Sequence, residues 1–228
     1  ESPLALKGFF RRNLPHLVRA DRSLFVTYTT RDRGVLPAGA RTIALRHALH
    51  EHLKKIYMRV AIVMPDADLR QAALLTAAGA MRYAGQKCTA TSRVVVAREV
   101  EDAFLGELRT QVAALPIGPV TDAASAVGPV ISDHSRRSIR KALDEVDAER
   151  IIESAIPSSA DFSNGYFVAP TVVRGAAIDS ELAQRELFGP VLAEFVADDL
   201  DHAIALANST PYGLSASLYT RDLRSALK

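Results

Sequence analysis

The apolar positions of this chain fall into a regular pattern only from Arg59 onward. Val60-Ala61-Ile62-Val63-Met64 is an unbroken apolar run of strand length, and Pro65 ends it. Asp66-Ala67-Asp68 then offers carboxylate oxygens to the unpaired amides of a helix start. The Ala-rich stretch from Leu69 to Ala84 propagates that helix, and Gly85 permits its end. Val94-Val95-Val96, β-branched and preceded by Thr91-Ser92-Arg93, predicts the next strand. Cys88 therefore lies in a helix-to-strand junction, where a side chain can be reached by a small molecule.

The same alternation continues downstream. Val100, Phe104, Leu108, Val112 and Leu115 recur on one helical face, with Glu101, Asp102, Glu107 and Arg109 opposite. A second helix is predicted through Ile139, Ala142, Leu143 and Val146 behind a Ser132 or Asp133 cap. A third runs through Leu200, Ala203, Ile204 and Ala207 behind Asp198-Asp199. Phe167-Val168, Thr171-Val172-Val173, Val191 to Val196 and Leu214 to Tyr219 are strand candidates. Strands alternating with helices predict an α/β layered domain. No internal repeat or low-complexity tract interrupts it.

Composition narrows the class. With 48% hydrophobic and 24% charged residues, the 228-residue chain has enough apolar surface for a packed core, which excludes disorder as its global state. No apolar run reaches the roughly 18 residues that a membrane-spanning helix needs, and no signal-peptide pattern opens the chain. The expectation is a cytoplasmic protein without a membrane partner. One cysteine can form neither an internal disulfide nor a thiolate metal cluster, so no metal is expected.

The net charge of +2 conceals an asymmetry. Residues 1–60 hold 12 Lys/Arg against 4 Asp/Glu, and residues 61–228 hold 16 against 22. His16, His47, His50 and His52 also fall in the first quarter. A basic arm of this kind can hold nucleic acid by counterion release, but a solvated face or a terminal segment accounts for the same charges, and no nucleic-acid partner is expected.

Taken alone, a single cysteine is more often a small buried hydrophobe than a nucleophile. Its neighbours change that reading. Ala84-Gly85-Gln86-Lys87-Cys88-Thr89-Ala90-Thr91-Ser92-Arg93-Val94-Val95-Val96 resembles the active-site stretch of the aldehyde dehydrogenase superfamily, in which a G-Q-x-C element precedes a strand. Arg185-Glu186-Leu187-Phe188-Gly189-Pro190-Val191 resembles the superfamily's E-[IL]-F-G-P-V element, in the right order and at the right spacing. Pro65-Asp66-Ala67-Asp68-Leu69, Val127-Gly128-Pro129-Val130, Gly165 to Thr171 and Ala207 to Ala216 extend the likeness over residues 60–228 as turns between layers.

The resemblance implies a three-layer α/β/α catalytic domain of the aldehyde dehydrogenase type, incomplete, with most of the Rossmann-like cofactor domain missing. It implies NAD or NADP as cofactor, a small-molecule aldehyde as partner, and a homo-oligomer as the intact form. By the same resemblance Cys88 is the nucleophile, Glu186 binds the cofactor's ribose hydroxyls, and Phe188 packs near the nicotinamide. A thiolate adds to an electrophilic carbonyl carbon, a carboxylate accepts hydrogen bonds from two hydroxyls, and an aromatic ring offers a flat apolar wall. Without the motifs, Glu186 reads as a surface carboxylate and Phe188 as core. Lys87, beside the cysteine, reads as a solvated lysine.

The likeness stops before the first strand. The superfamily's Glu-Leu-Gly-Gly-Lys element, whose glutamate is the general base, has no counterpart in Leu53-Lys54-Lys55-Ile56-Tyr57-Met58-Arg59. The oxyanion asparagine and the glycine-rich cofactor turn also lack counterparts, and Phe25 to Thr30 resembles the strand entering that turn only faintly. The expected division is residues 1–58 as a divergent, remnant, recombined or frame-shifted segment, and 59–228 as a catalytic domain truncated at its C-terminus. The expected function is a fragment of an NAD(P)-dependent oxidoreductase that oxidises an aldehyde to a carboxylate through a cysteine thioester, with little turnover by this chain alone. The loop around Cys88 is similar to that of bacterial semialdehyde dehydrogenases, including those acting on 2-oxoglutarate semialdehyde. A catalytically dead binding or assembly module and a CoA-acylating enzyme are the alternatives.

Overall fold

A computed structural model describes residues 24–25, 59–158, 162, 164–210, 212 and 215–227. Apart from Leu24–Phe25, the segment 1–58 and the expectations placed on it lie outside these residues. The strands are β1 (Leu24–Phe25), β2 (Arg59–Val63), β3 (Thr91–Ala97), β4 (Glu149–Glu153), β5 (Thr171–Arg174), β6 (Val191–Ala197) and β7 (Ser215–Thr220). The helices are α1 (Leu69–Met81), α2 (Glu101–Ala113), α3 (Asp133–Glu145), α4 (Glu181–Gln184), α5 (Leu200–Ala207) and α6 (Leu223–Leu227). Among the described residues no helix is long and apolar enough to cross a membrane.

Seven strands form one sheet in the order β1-β7-β2-β3-β6-β5-β4. The five inner strands run parallel, and β1 and β4 are antiparallel edges. Parallel strands need crossover connections and carry helices on both faces, so β2, β3 and β6 read as nearly continuous apolar runs and are almost wholly buried. The crossover from β2 through α1 to β3 and that from β6 through α5 to β7 run in opposite directions across the sheet. Right-handed connections therefore place α1 and α5 on opposite faces, which gives the three layers. Arg93 of β3 marks the α5 face, since its guanidinium donates to the Leu206 carbonyl at the end of α5 and to Ser209 Oγ, both at 3.3 Å. Phe195, on the neighbouring strand, stacks against it with its ring centroid 4.9 Å away.

The helix starts follow the capping chemistry that the sequence predicts. Asp68 Oδ1 accepts from Gln71 N, Ser132 Oγ from Ser135 N, and Asp199 Oδ1 from His202 N. The strands at 60–63, 94–96, 171–173 and 191–196 form where expected. Phe167-Val168 differs. Both residues are buried but belong to no strand, because the segment supplies core side chains without joining a ladder. The first helix also stops earlier than its composition predicts, at Met81 instead of Ala84, for a reason that belongs to the site below.

One buried charge makes the fold sensitive to pH. Glu194 of β6 is 1% exposed and lies beside Arg174 of β5, whose Nε is 3.6 Å from Glu194 Oε2. That is too long for a hydrogen bond, and both carboxylate oxygens lack one. Arg174 instead holds Glu101 of α2 at 3.0 Å. Burial, helped by the neighbouring Glu101 charge and opposed by Arg174, pushes the Glu194 carboxyl up to about 7. A carboxyl whose folded pKa exceeds its unfolded value binds its proton more tightly when folded, so stability falls as pH rises between about 4.5 and about 7. Glu194→Gln is expected to be stabilising by about 2 kcal/mol at pH 8 and nearly neutral at pH 4.5, read by urea unfolding at each pH. An equal effect at both pH values would show that burial does not govern this carboxyl.

Candidate functional site

Two loops meet because of the strand order. β3 and β6 are adjacent and parallel, with Arg93 opposite Ala193, so the loops entering them emerge at the same end of the sheet. One carries Cys88 and the other carries Glu186 and Phe188. In doubly wound sheets ligands gather at the carboxyl ends of the strands. Here the cleft lies at the amino ends of β3 and β6 instead.

The loop before β3 begins with a backbone reversal. After Met81, Tyr83 and Ala84 adopt φ values of 57° and 53°, and Gly85 follows at 65°. Left-handed backbone is costly for residues with a Cβ, and it ends the helix at Met81, ahead of the glycine. Tyr83 N donates to the Ala126 carbonyl, so a distant segment holds the reversal. At Gly85 an added Cβ would lie 2.1 Å from the Gly189 carbonyl oxygen, and one at Gly189 would lie 2.6 Å from Ile139 Cδ1. The two loops thus touch backbone to backbone, and glycine is required for the approach. Beyond Gln86, Ala90 N donates to the Lys87 carbonyl at 2.9 Å, closing a four-residue turn with Cys88 at its second position. Cys88 is exposed.

The cleft between the loops is lined by Gly85, Lys87, Ala90, Thr91, Glu186 and Phe188, among others. Cys88 itself is not part of the lining, but residues on both sides of it in the chain are. Arg185 is held by Glu181 at 2.6 Å and by Ser138 Oγ at 2.8 Å. Glu186, next to it, forms no ion pair or hydrogen bond among the described residues. Burial pushes its carboxyl up to about 7. Phe188 has φ 54° and is 42% exposed, so its ring is offered outward and is not core. The Lys87 ammonium sits over the Tyr83 ring, 3.6 Å from its centroid, which is a cation–π contact and not plain solvation.

The structure therefore brings Glu186 and Phe188 into one cleft, with Cys88 on the turn beside it. What the sequence does not reveal is the Gly85–Gly189 contact and the partners of Gln86. Glycine in both loops was the available signal, but a close approach between residues a hundred positions apart has no local signature.

The profile described as the aldehyde dehydrogenase family matches residues 47–228, starting before Arg59. The chain is similar to the mitochondrial delta-1-pyrroline-5-carboxylate dehydrogenase of Emericella nidulans, with 38% identity over 71% of this chain and 29% of that one. It is also similar to the alpha-ketoglutarate semialdehyde dehydrogenase of Haloferax volcanii, with 37% identity over 71% of this chain and 34% of the relative. Among solved structures, betaine aldehyde dehydrogenase from Staphylococcus aureus in complex with NAD+ superposes with a TM-score of 0.70 and 31% identity, covering 74% of this chain and 34% of that one. The chain thus spans about a third of the length of the relatives it matches.

Proposed function

This chain belongs to the aldehyde dehydrogenase family, and from that premise we propose that it carries the nucleophile-bearing part of an enzyme oxidising an aldehyde, of the semialdehyde class, to a carboxylate. One observation carries the reading: the loops entering β3 and β6 touch at Gly85 and Gly189, so the turn with the exposed Cys88 thiol lies beside the cleft that half-buried Glu186 lines.

Cys88 is the nucleophile in this proposal. Its sulfur adds to the aldehyde carbon, and the carbonyl oxygen takes up a proton, giving a thiohemiacetal. NAD or NADP fits the remaining residues. Glu186, half-buried and without a hydrogen-bonding partner among the described residues, is suited to accept from the two hydroxyls of a ribose. Phe188, held outward by its backbone, is suited to lie against a flat heteroaromatic ring. The nicotinamide, when bound, supplies the hydride acceptor that the oxidation needs. The described residues line one side of such a site, so the chain alone is expected to form the adduct with little turnover. The intact enzyme is proposed to be a cytoplasmic homo-oligomer, with residues 59–228 as its catalytic domain and 1–58 as a divergent segment.

Glu186 gives the test a pH signature. Its carboxyl, raised to about 7, is neutral below that pH and charged above it, and the charged form, with both oxygens as acceptors and no donor, accepts more strongly from two hydroxyls. NAD affinity, measured by titration calorimetry, is expected to strengthen as pH rises through 7. Glu186→Gln should weaken it about tenfold at pH 8 and remove the pH dependence. Absence of NAD binding at any pH, together with a stable oligomer, would instead favour a binding or assembly module.

A further inference from the structure

The side chain of Gln86, two residues before Cys88, has three backbone partners on two segments. Its Nε2 donates to the Tyr83 carbonyl at 3.4 Å and to the Pro129 carbonyl at 3.3 Å, and its Oε1 accepts from Ile131 N at 2.8 Å. The orientation is unambiguous, because a flipped carboxamide would set its oxygen against two carbonyl oxygens and its NH2 against an N–H. Tyr83 is the first left-handed residue of the reversal, and Pro129 and Ile131 belong to a separate loop more than forty positions away. On the opposite side, Gly85 abuts the Gly189 backbone. Apart from the contact of Lys87 with the Tyr83 ring, the turn that carries Cys88 rests on what precedes it, and its direction is set by what holds residues 85 and 86.

We infer that Gln86 is a positioning residue for Cys88: its carboxamide clamps the strained reversal to the 129–131 loop and so aims the Lys87-Cys88-Thr89-Ala90 turn toward the cleft bordered by Glu186. Both functions of the carboxamide are needed. The acceptor ties down Ile131, and the two donated bonds tie the reversal to Pro129. This role rests on the reading of Cys88 as the nucleophile, but the clamp itself can be tested without it.

The test uses the full chain and two variants. Gln86→Met keeps nearly the same volume and removes every hydrogen bond. Gln86→Glu, as a carboxylate, keeps the acceptor for Ile131 N and loses both donated bonds. Amide exchange of Ala90, whose N–H closes the turn around Cys88, is the readout. Gln86→Met should speed exchange at both Ala90 and Ile131 at least tenfold, with Val94 to Val96 unchanged. Gln86→Glu should speed Ala90 alone. Because the chain has one cysteine, alkylation by iodoacetamide reports on Cys88 only. That rate should stay within twofold of wild type, since alkylation needs no set orientation, whereas the population of the Cys88 adduct with an aliphatic aldehyde should fall about tenfold. Wild-type exchange at Ala90 in Gln86→Glu, or in a folded Gln86→Met, would overturn the inference. If Gln86→Met does not fold, Gln86→Glu decides alone. Faster exchange in both variants as stated, with no aldehyde adduct in the wild-type chain, would leave the clamp standing and remove the proposed chemistry instead.

Discussion

Gly85→Ala is expected to lower the thermal midpoint of the chain by roughly 10 °C, corresponding to a loss on the order of 3 kcal/mol. Two costs combine. The backbone at φ 65° is left-handed, which alanine adopts only at an energetic cost, and the new Cβ would fall 2.1 Å from the Gly189 carbonyl oxygen. A clash with a flexible side-chain tip relaxes cheaply, but this one is with backbone, so a loop must move. Gly189 is itself pressed against Ile139 of α3, which blocks the simplest retreat. The displacement would carry Cys88 away from Glu186, so cleft chemistry should suffer together with stability. Gly106, on α2, is the internal contrast. It has no atom within 4 Å of an added Cβ and ordinary helical geometry, so Gly106→Ala should be stabilising by about 0.5–1 kcal/mol. Thermal unfolding followed by circular dichroism reads both variants. Equal midpoints for Gly85→Ala and wild type would mean that the loops are not in contact.

How far the fold was legible depends on whether its signal is local. The stripe Phe104, Leu108 and Val112, the caps at Asp68, Ser132 and Asp199, and the apolar runs of β2, β3 and β6 are short-range patterns, and each gives an element close to its expected place. β4, Glu149-Arg150-Ile151-Ile152-Glu153, has no clear signal in the sequence because an edge strand has one ladder partner and needs little apolar sequence. Only Ile152 in it is fully buried. α4 is a single turn behind Ser180, too short for periodicity to register. α1 ends before its sequence predicts because Ala84 is a strong helix former, and only tertiary contacts, such as the bond from Tyr83 N to the Ala126 carbonyl, go with the left-handed backbone of Tyr83 and Ala84.

The site was legible in a different way. Composition alone gave no reason to prefer Cys88 over a buried thiol, and burial statistics argued against Glu186 and Phe188. Motif resemblance named all three, and the adjacency of β3 and β6 brings the loops that carry them to one end of the sheet. Gln86 stood inside the same motif, yet its function was not readable, since its partners at Pro129 and Ile131 are far away in the chain. The general base and the oxyanion donor have no proposed residue among those described.

Cys88→Ala carries the other large effect, the complete loss of thiohemiacetal formation with an aldehyde. The reasoning is compositional as well as geometric. The chain has one cysteine, it is exposed at the second position of a closed turn, and no second thiol can substitute for it. Adjacent amines can form imines with aldehydes, so the product's chemistry matters and not merely a change in mass. Addition of sulfur converts the trigonal carbonyl carbon to a tetrahedral one bonded to sulfur and oxygen, which a carbon-labelled aldehyde reports directly by NMR. The decisive measurement is therefore the spectrum of the intact chain with a carbonyl-labelled aliphatic semialdehyde. A tetrahedral hemithioacetal signal that disappears in Cys88→Ala and persists in Lys87→Ala is the predicted result. No such signal in the folded wild-type chain, or one that survives in Cys88→Ala, would contradict the account.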